Sequence, residues 1–274
     1  MKYRNILTVD LEDWFHVCGV SRYIPRESWD GLESRIVATT SRILDLLSRA
    51  KTLATFFVLG SVAEQYPTLV RGISDSGHEI ASHGYAHRRV YTMTPDLFRD
   101  DLKRSADILA GITGKEIKGF RAPEWSIRDG SMWALDILQE EGFLYDSSMA
   151  PLHVIGNPQY PTRPWRHRLS KGEMWEIPPL VCDIRLINLP IGGGWGMRIF
   201  PYRLIRSAII KNNRQGIPSV IFVHPREFDS NCPRVRLPLI KRFVLNASIV
   251  GTEKRFERLL DDFEFTTVAN FIGL

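Results

Sequence analysis

Short apolar runs alternate with amphipathic ones along almost the whole chain, and this alternation restricts the fold more than any other feature. Residues 3–9, 53–60, 78–83, 117–123, 143–148, 173–181 and 218–225 each have the length and bounding residues of a buried strand. Between them lie helical patterns. Residues 34–50 place Ile36, Ile43, Leu44 and Leu47 on one face, and residues 61–77 contain Pro67, which predicts a bend or break. Residues 94–114, 130–142 and 201–216 read as further helices, and 252–263 followed by 264–268 as a closing helix and strand. Residues 149–168, with Pro151, Pro158, Pro161 and Pro164, read as surface loops.

Repeated strand–helix units imply an α/β fold, with a parallel sheet covered by helices. About seven strands favour a closed or nearly closed barrel over an open doubly wound sheet. No linker, repeat or low-complexity stretch divides residues 1–274, so one domain is expected. In either architecture the functional groups gather at the C-terminal ends of the strands.

Composition removes several function classes. The three cysteines, Cys18, Cys182 and Cys232, are scattered and odd in number, which argues against a disulfide framework or a thiolate zinc site. The net charge of +5 is spread over stretches such as "HRRVY" and "RPWRHR" without a recognition helix or stacking motif, so no nucleic-acid partner is expected. The first apolar run is too short for a signal peptide or a membrane span, which leads to the expectation of a cytoplasmic protein.

The strand ends carry the chemistry. Asp10, Glu12 and Asp13 follow the first strand and His83 and His87 the third; Arg121 and "APEW" follow the fourth, Asp146 the fifth and His224 the late apolar strand. An isolated HxxxH is more often a surface pair than a metal site; with an acid on the same rim, His83 and His87 become metal ligands suited to zinc, cobalt or manganese. A continuing strand puts Glu12 on the same face as Asp10 and makes it the third ligand, whereas a turn after Asp10 would bring Asp13 instead. Gly192–Gly194 neither follows a strand nor opens a helix in dinucleotide-binding fashion, and reads as a close-approach loop on the substrate side.

In order, "TVDLED", "TFFVLG", "GHEIASHGYAH", "FRAPEWS", "YDSS" and "IFVHPRE" resemble the motifs of the polysaccharide deacetylases, the NodB homology proteins of carbohydrate esterase family 4. "DLEDWFHV", "HPREFD" and the closing "RFERLLDDFEF" resemble their subfamily at exosortase/PEP-CTERM exopolysaccharide loci, with a C-terminal subfamily extension. The resemblance implies a distorted (β/α) barrel and one divalent metal, zinc first among the choices, held by two histidines and a carboxylate. It implies removal of N-acetyl groups from an amino-sugar polysaccharide or a lipid-linked precursor, with peripheral membrane contact and no membrane span. By the same resemblance Asp10 is the general base, Arg121 its positioning partner, His224 the general acid and Asp146 the carboxylate that orients His224. A backbone N–H near Glu124 would face the oxyanion, and Trp125 and Trp195 would stack on sugar rings; for Trp125 a core role is an equal reading. The chain departs from the subfamily at Glu124, Trp125 and Arg226, all beside proposed catalytic residues. Competing readings are a hydrolase of cyclic amides or ureides on the same scaffold, an inert glycan-binding protein, and a glycosidase, which would leave the histidines unused.

Overall fold

The computed structural model describes residues 4–16, 19–20, 23–153, 155–184, 187–233 and 235–274; Tyr3 and Cys18 lie outside the described residues. The strands are β1 (Arg4–Leu11), β2 (Thr55–Val58), β3 (Glu79–Ser82), β4 (Gly119–Phe120), β5 (Tyr145–Asp146), β6 (Trp165–Leu169), β7 (Gly172–Glu176), β8 (Cys182–Asp183), β9 (Asn188–Leu189), β10 (Val220–Val223) and β11 (Glu264–Thr266). The helices are α1 (Ile36–Arg49), α2 (Gly60–Gln65), α3 (Pro67–Asp75), α4 (Pro95–Thr113), α5 (Trp133–Glu140), α6 (Gly194–Ile199), α7 (Tyr202–Arg214), α8 (Leu239–Asn246), α9 (Thr252–Asp262) and α10 (Val268–Ile272).

Strands β10, β1, β2, β3, β4, β5 and β7 run side by side and parallel, with β11 paired to the start of β1. Among the described residues no ladder joins β7 to β10. Irregular backbone bridges that seam: Leu180 N–H donates to the Val220 carbonyl at 2.9 Å, and Phe222 N–H donates to the Gly192 carbonyl at 2.9 Å. The result is the distorted barrel expected, closed by loop backbone rather than by a strand. The seam needs glycine, since a Cβ on Gly193 would fall 2.1 Å from the Phe222 carbonyl oxygen. Just beyond it, residues 194–199 form α6 where the sequence suggested only a loop.

Strand alternation sorts the core into two layers. Ile6, Phe57, Ala81, Tyr145 and Val220 point into the barrel, and Val268 of α10 joins them. Their neighbours Leu7, Val9, Leu11, Phe56 and Val58 point outward to meet Ile43 and Leu47 of α1 and Leu102 of α4. Such two-faced burial explains why the strands read as continuous apolar runs. Helix ends follow local chemistry: the Thr94 hydroxyl accepts the Leu97 N–H before Pro95 opens α4, and Gly114 ends it at φ 68°. Pro67 starts α3 after a break at Tyr66, as expected from the sequence. The proline-rich stretch differs from its reading as loops alone. It ends in β6, which pairs antiparallel with β7.

Candidate active site at the strand C-termini

Thr8, Asp10 and Glu12 alternate onto the inner side of β1 and its continuation, so the pleat delivers two carboxylates to one rim. Glu12, His83 and His87 are buried, and their donor atoms lie within 4.8 Å of one another. His87 Nε2 is 2.7 Å from Glu12 Oε2, and His83 Nε2 is 3.8 Å from the same oxygen. His83 Nδ1 lies 2.7 Å from the Arg121 carbonyl, which can only accept, so Nδ1 holds the proton and Nε2 presents its lone pair. Two imidazole nitrogens and one carboxylate converging in this way fit a divalent cation such as zinc, and the backbone contact is the kind of outer support that such ligands need. Burial alone would raise the Glu12 carboxyl, yet His87, His83 and His224 hold it well below its ordinary range.

Asp13 is turned elsewhere, which removes it as the alternative ligand. Its carboxylate accepts the Trp14 N–H at 2.8 Å, the Arg35 N–H at the start of α1 at 3.2 Å, and the Ser34 hydroxyl. Burial raises its carboxyl above the ordinary range. The Asp13 N–H donates to His16 Nδ1 at 2.9 Å, and the His16 ring stacks 5.6 Å from His87. His16, which lies in "DLEDWFHV" but was given no role from the sequence, therefore packs against a metal-type histidine. Its burial pushes it down to about 3, so it packs there as a neutral ring.

Arg121 is fully buried and spends its donors on the barrel interior. It donates to Asp10 Oδ1 at 2.6 Å, Thr8 Oγ1 at 2.9 Å and Ser147 Oγ at 2.8 Å, and lies over the Phe57 and Trp125 rings. Asp10 is thus fixed with its second oxygen facing His224, whose Nε2 is 3.7 Å from both Asp10 Oδ2 and Glu12 Oε1. Burial would lower the His224 imidazole, but Glu227, Glu12 and Asp10 push it up to about 9.

The carboxylate beside His224 is not the expected Asp146. Glu227 Oε2 lies 3.7 Å from His224 Nδ1 and accepts the His224 N–H at 3.2 Å. The available signal was its spacing of three residues from His224 in "HPRE", the reach of a first helical turn. Asp146 instead faces Glu176 across the β5–β7 register. Asp146 Oδ1 accepts the Ser148 hydroxyl and Glu176 Oε1 the Ser148 and Met149 N–H groups, while Asp146 Oδ2 and Glu176 Oε2 meet no donor among the described residues. A proton on one of the two carboxyls would supply the missing donor. Burial raises both carboxyls, Asp146 to about 6.

A cavity of about 260 Å³ opens from these groups, bordered by Glu124, Trp125, Trp195 and Arg226. His87, Glu124 and Trp125 take left-handed φ values of 52–54°, each costing on the order of 1–3 kcal/mol, a strain that clusters at functional sites. Arg226 is explained by α8: it donates to the Leu245 carbonyl at 2.7 Å, and Arg198 donates to the Val244 and Ala247 carbonyls. The two arginines satisfy the open C-terminal carbonyls of that helix and fix it against the cavity.

Residues 29–141 match the family model described as Polysaccharide deacetylase, and residues 147–273 a Domain of unknown function (DUF3473). A peptidoglycan deacetylase of Helicobacter pylori is 33% identical over 119 residues, covering 43% of this chain and 39% of that protein. A peptidoglycan-N-acetylglucosamine deacetylase of Bacillus cereus is 30% identical over 130 residues, covering 43% of this chain and 46% of that one. The chain thus spans less than half the length of these relatives. A solved candidate polysaccharide deacetylase from Mycobacterium smegmatis superposes with a TM-score of 0.67 at 20% identity, over 99% of this chain and 93% of that one, a likeness of fold.

Proposed function

We propose that this chain, whose residues 29–141 match the polysaccharide deacetylase family model, is a metal-dependent hydrolase that removes N-acetyl groups from an amino-sugar polysaccharide or its precursor, in exopolysaccharide or cell-surface glycan synthesis. The observation that carries this reading is the buried Glu12–His83–His87 cluster beside an Asp10 fixed by Arg121. Those three residues would hold one divalent ion, zinc or else cobalt or manganese. Such an ion supplies Lewis acidity, acidifying water and polarising the amide carbonyl. Asp10 accepts the proton of the attacking water, and Arg121 keeps its carboxylate aimed. His224 carries a proton at Nε2 for the departing amine, which leaves poorly unless protonated. Glu227 steadies that ring through Nδ1. Peripheral contact with a lipid-linked substrate and a cytoplasmic location belong to the same proposal; among the described residues no helix is long and apolar enough to cross a membrane.

The test is acetate release from N-acetylglucosamine oligomers and acetylated polysaccharides after reconstitution with zinc, cobalt or manganese, beside hydantoin-like cyclic amides. Acetate from the sugars and no opening of the rings is the expected result. Ring opening alone would favour the cyclic-amide reading. Glycan binding without acetate release under every metal would make the protein an inert binder.

A further inference from the structure

Apart from the catalytic groups and from Glu124 and Glu227, the cavity is lined largely by aliphatic and aromatic carbon, Trp125 and Trp195 included. Leu152 and Ile155 come from the loop after β5, Leu180 and Val181 from the barrel seam, and Val244 and Leu245 from α8. A sugar ring brings several hydroxyls that need partners when enclosed. Two arginines reach this wall, and both direct donors to α8 backbone carbonyls. The methyl of an acetyl group needs far less room: an apolar cavity of about 150 Å³ already holds benzene, and this one is about 260 Å³.

The apolar lining also continues outward. Ile240 stands one helical turn before Val244 on the same face of α8 and is 80% exposed, with Leu239 and Phe243 beside it at 73% and 61%. Strands β8 and β9 lie in sequence between Val181 and Pro190, both of which line the cavity, and Ile184 and Ile187 beside them are exposed. The occupant must also place an amide at Asp10 and His224, because the same cavity includes them.

Resting on the proposed amide hydrolysis, we infer that the substrate carries an aliphatic chain of several carbons next to the scissile amide. The chain lies against Leu152, Leu180, Val244 and Leu245 and leaves the protein along Ile240. It is either a long N-acyl group or the lipid end of an amino-sugar conjugate. In both cases its burial, and not a run of sugar subsites, selects the substrate.

Two substrate series decide between the sources. One is glucosamine oligomers bearing N-acetyl, N-butanoyl, N-hexanoyl or N-octanoyl groups; the other is N-acetylglucosamine with methyl, butyl, hexyl or octyl aglycones. In the series that matches the chain, kcat/KM rises roughly two- to fourfold for each methylene buried. Val244→Phe, at a half-buried position, and Leu152→Phe, on a different loop, both narrow the cavity and should lower the octyl-to-methyl or octanoyl-to-acetyl ratio at least tenfold. Flat or falling kcat/KM in both series, with acetate still released from the shortest substrates, overturns the chain and leaves the deacetylase reading standing. If nothing is hydrolysed, that reading fails. The chain is then judged by tryptophan fluorescence of the metal-free protein titrated with octyl and methyl N-acetylglucosaminide and with methyl glucosaminide bearing N-octanoyl or N-acetyl. At least tenfold tighter binding of the octyl or the octanoyl compound, lost in Val244→Phe, supports it, and equal affinities within both pairs overturn it.

Discussion

Glu12 and Asp13 are adjacent, and the backbone sends their side chains to different tasks. Glu12 continues the inward alternation of Asp10 and meets His83 and His87, while Asp13 turns back to the start of α1. The inward choice was readable from the period of a strand. The destination of Asp13 was not, because its partners Ser34 and Arg35 lie more than twenty residues away and only the fold brings them near. Glu12→Ala should therefore abolish stable metal retention after dialysis. Asp13→Asn should keep the metal and destabilise the protein by about 1–2 kcal/mol, the usual cost of weakening a helix-start acceptor. Metal content and urea unfolding of the two variants check this; metal loss in Asp13→Asn with retention in Glu12→Ala would reverse the assignment.

Among the elements, pairing between distant strands decided what sequence order could not. Asp146 and Glu176 are thirty residues apart, yet skipping β6 in the sheet order sets β5 against β7 and makes them direct neighbours. The stretch "YDSS" pointed to an acid at a strand end but not to its partner. Helix α8 was not among the expected helices although Leu239, Ile240, Phe243 and Val244 recur at helical spacing; it is short, and that apolar face is largely exposed rather than part of the core. The acid pair also sets a pH dependence. Burial raises the folded-state Asp146 carboxyl from 3.8 to about 6, so the folded protein binds more protons than the unfolded chain in that window. Stability from this group is present at low pH and declines as pH rises through 4 to 6. Asp146→Asn removes that titration and offers a permanent N–H to Glu176. The variant should be more stable than wild type at pH 7 by about 1–3 kcal/mol, with a flatter profile between pH 4 and 7. Urea midpoints across that range are the measurement, and a variant less stable at pH 7 with an unchanged slope would refute the pairing.

For the whole molecule, one sheet takes β2 to β4 from the stretch at residues 29–141 and β7 and β10 from the stretch of unknown function; β1, which precedes both, pairs with β10 and β2, and the segment before β10 closes the seam. The barrel and its rim were legible because parallel strands bury both faces and place polar groups at their C-terminal ends. Closure through Leu180 and Gly192 was not legible, since irregular backbone has no period. The same closure brings His224 and the apolar cavity wall to the Asp10 rim, so neither matched stretch holds a complete site alone. The most direct test compares wild type with Asp10→Asn, each reconstituted with the same metal, by measuring ion content and acetate release from one N-acetylated substrate. Because Asp10 faces the cluster without belonging to it, the variant should retain the wild-type ion stoichiometry while acetate release falls about 10²-fold or more, the range for losing a general base. Acetate release near the wild-type rate with the ion in place would contradict the account.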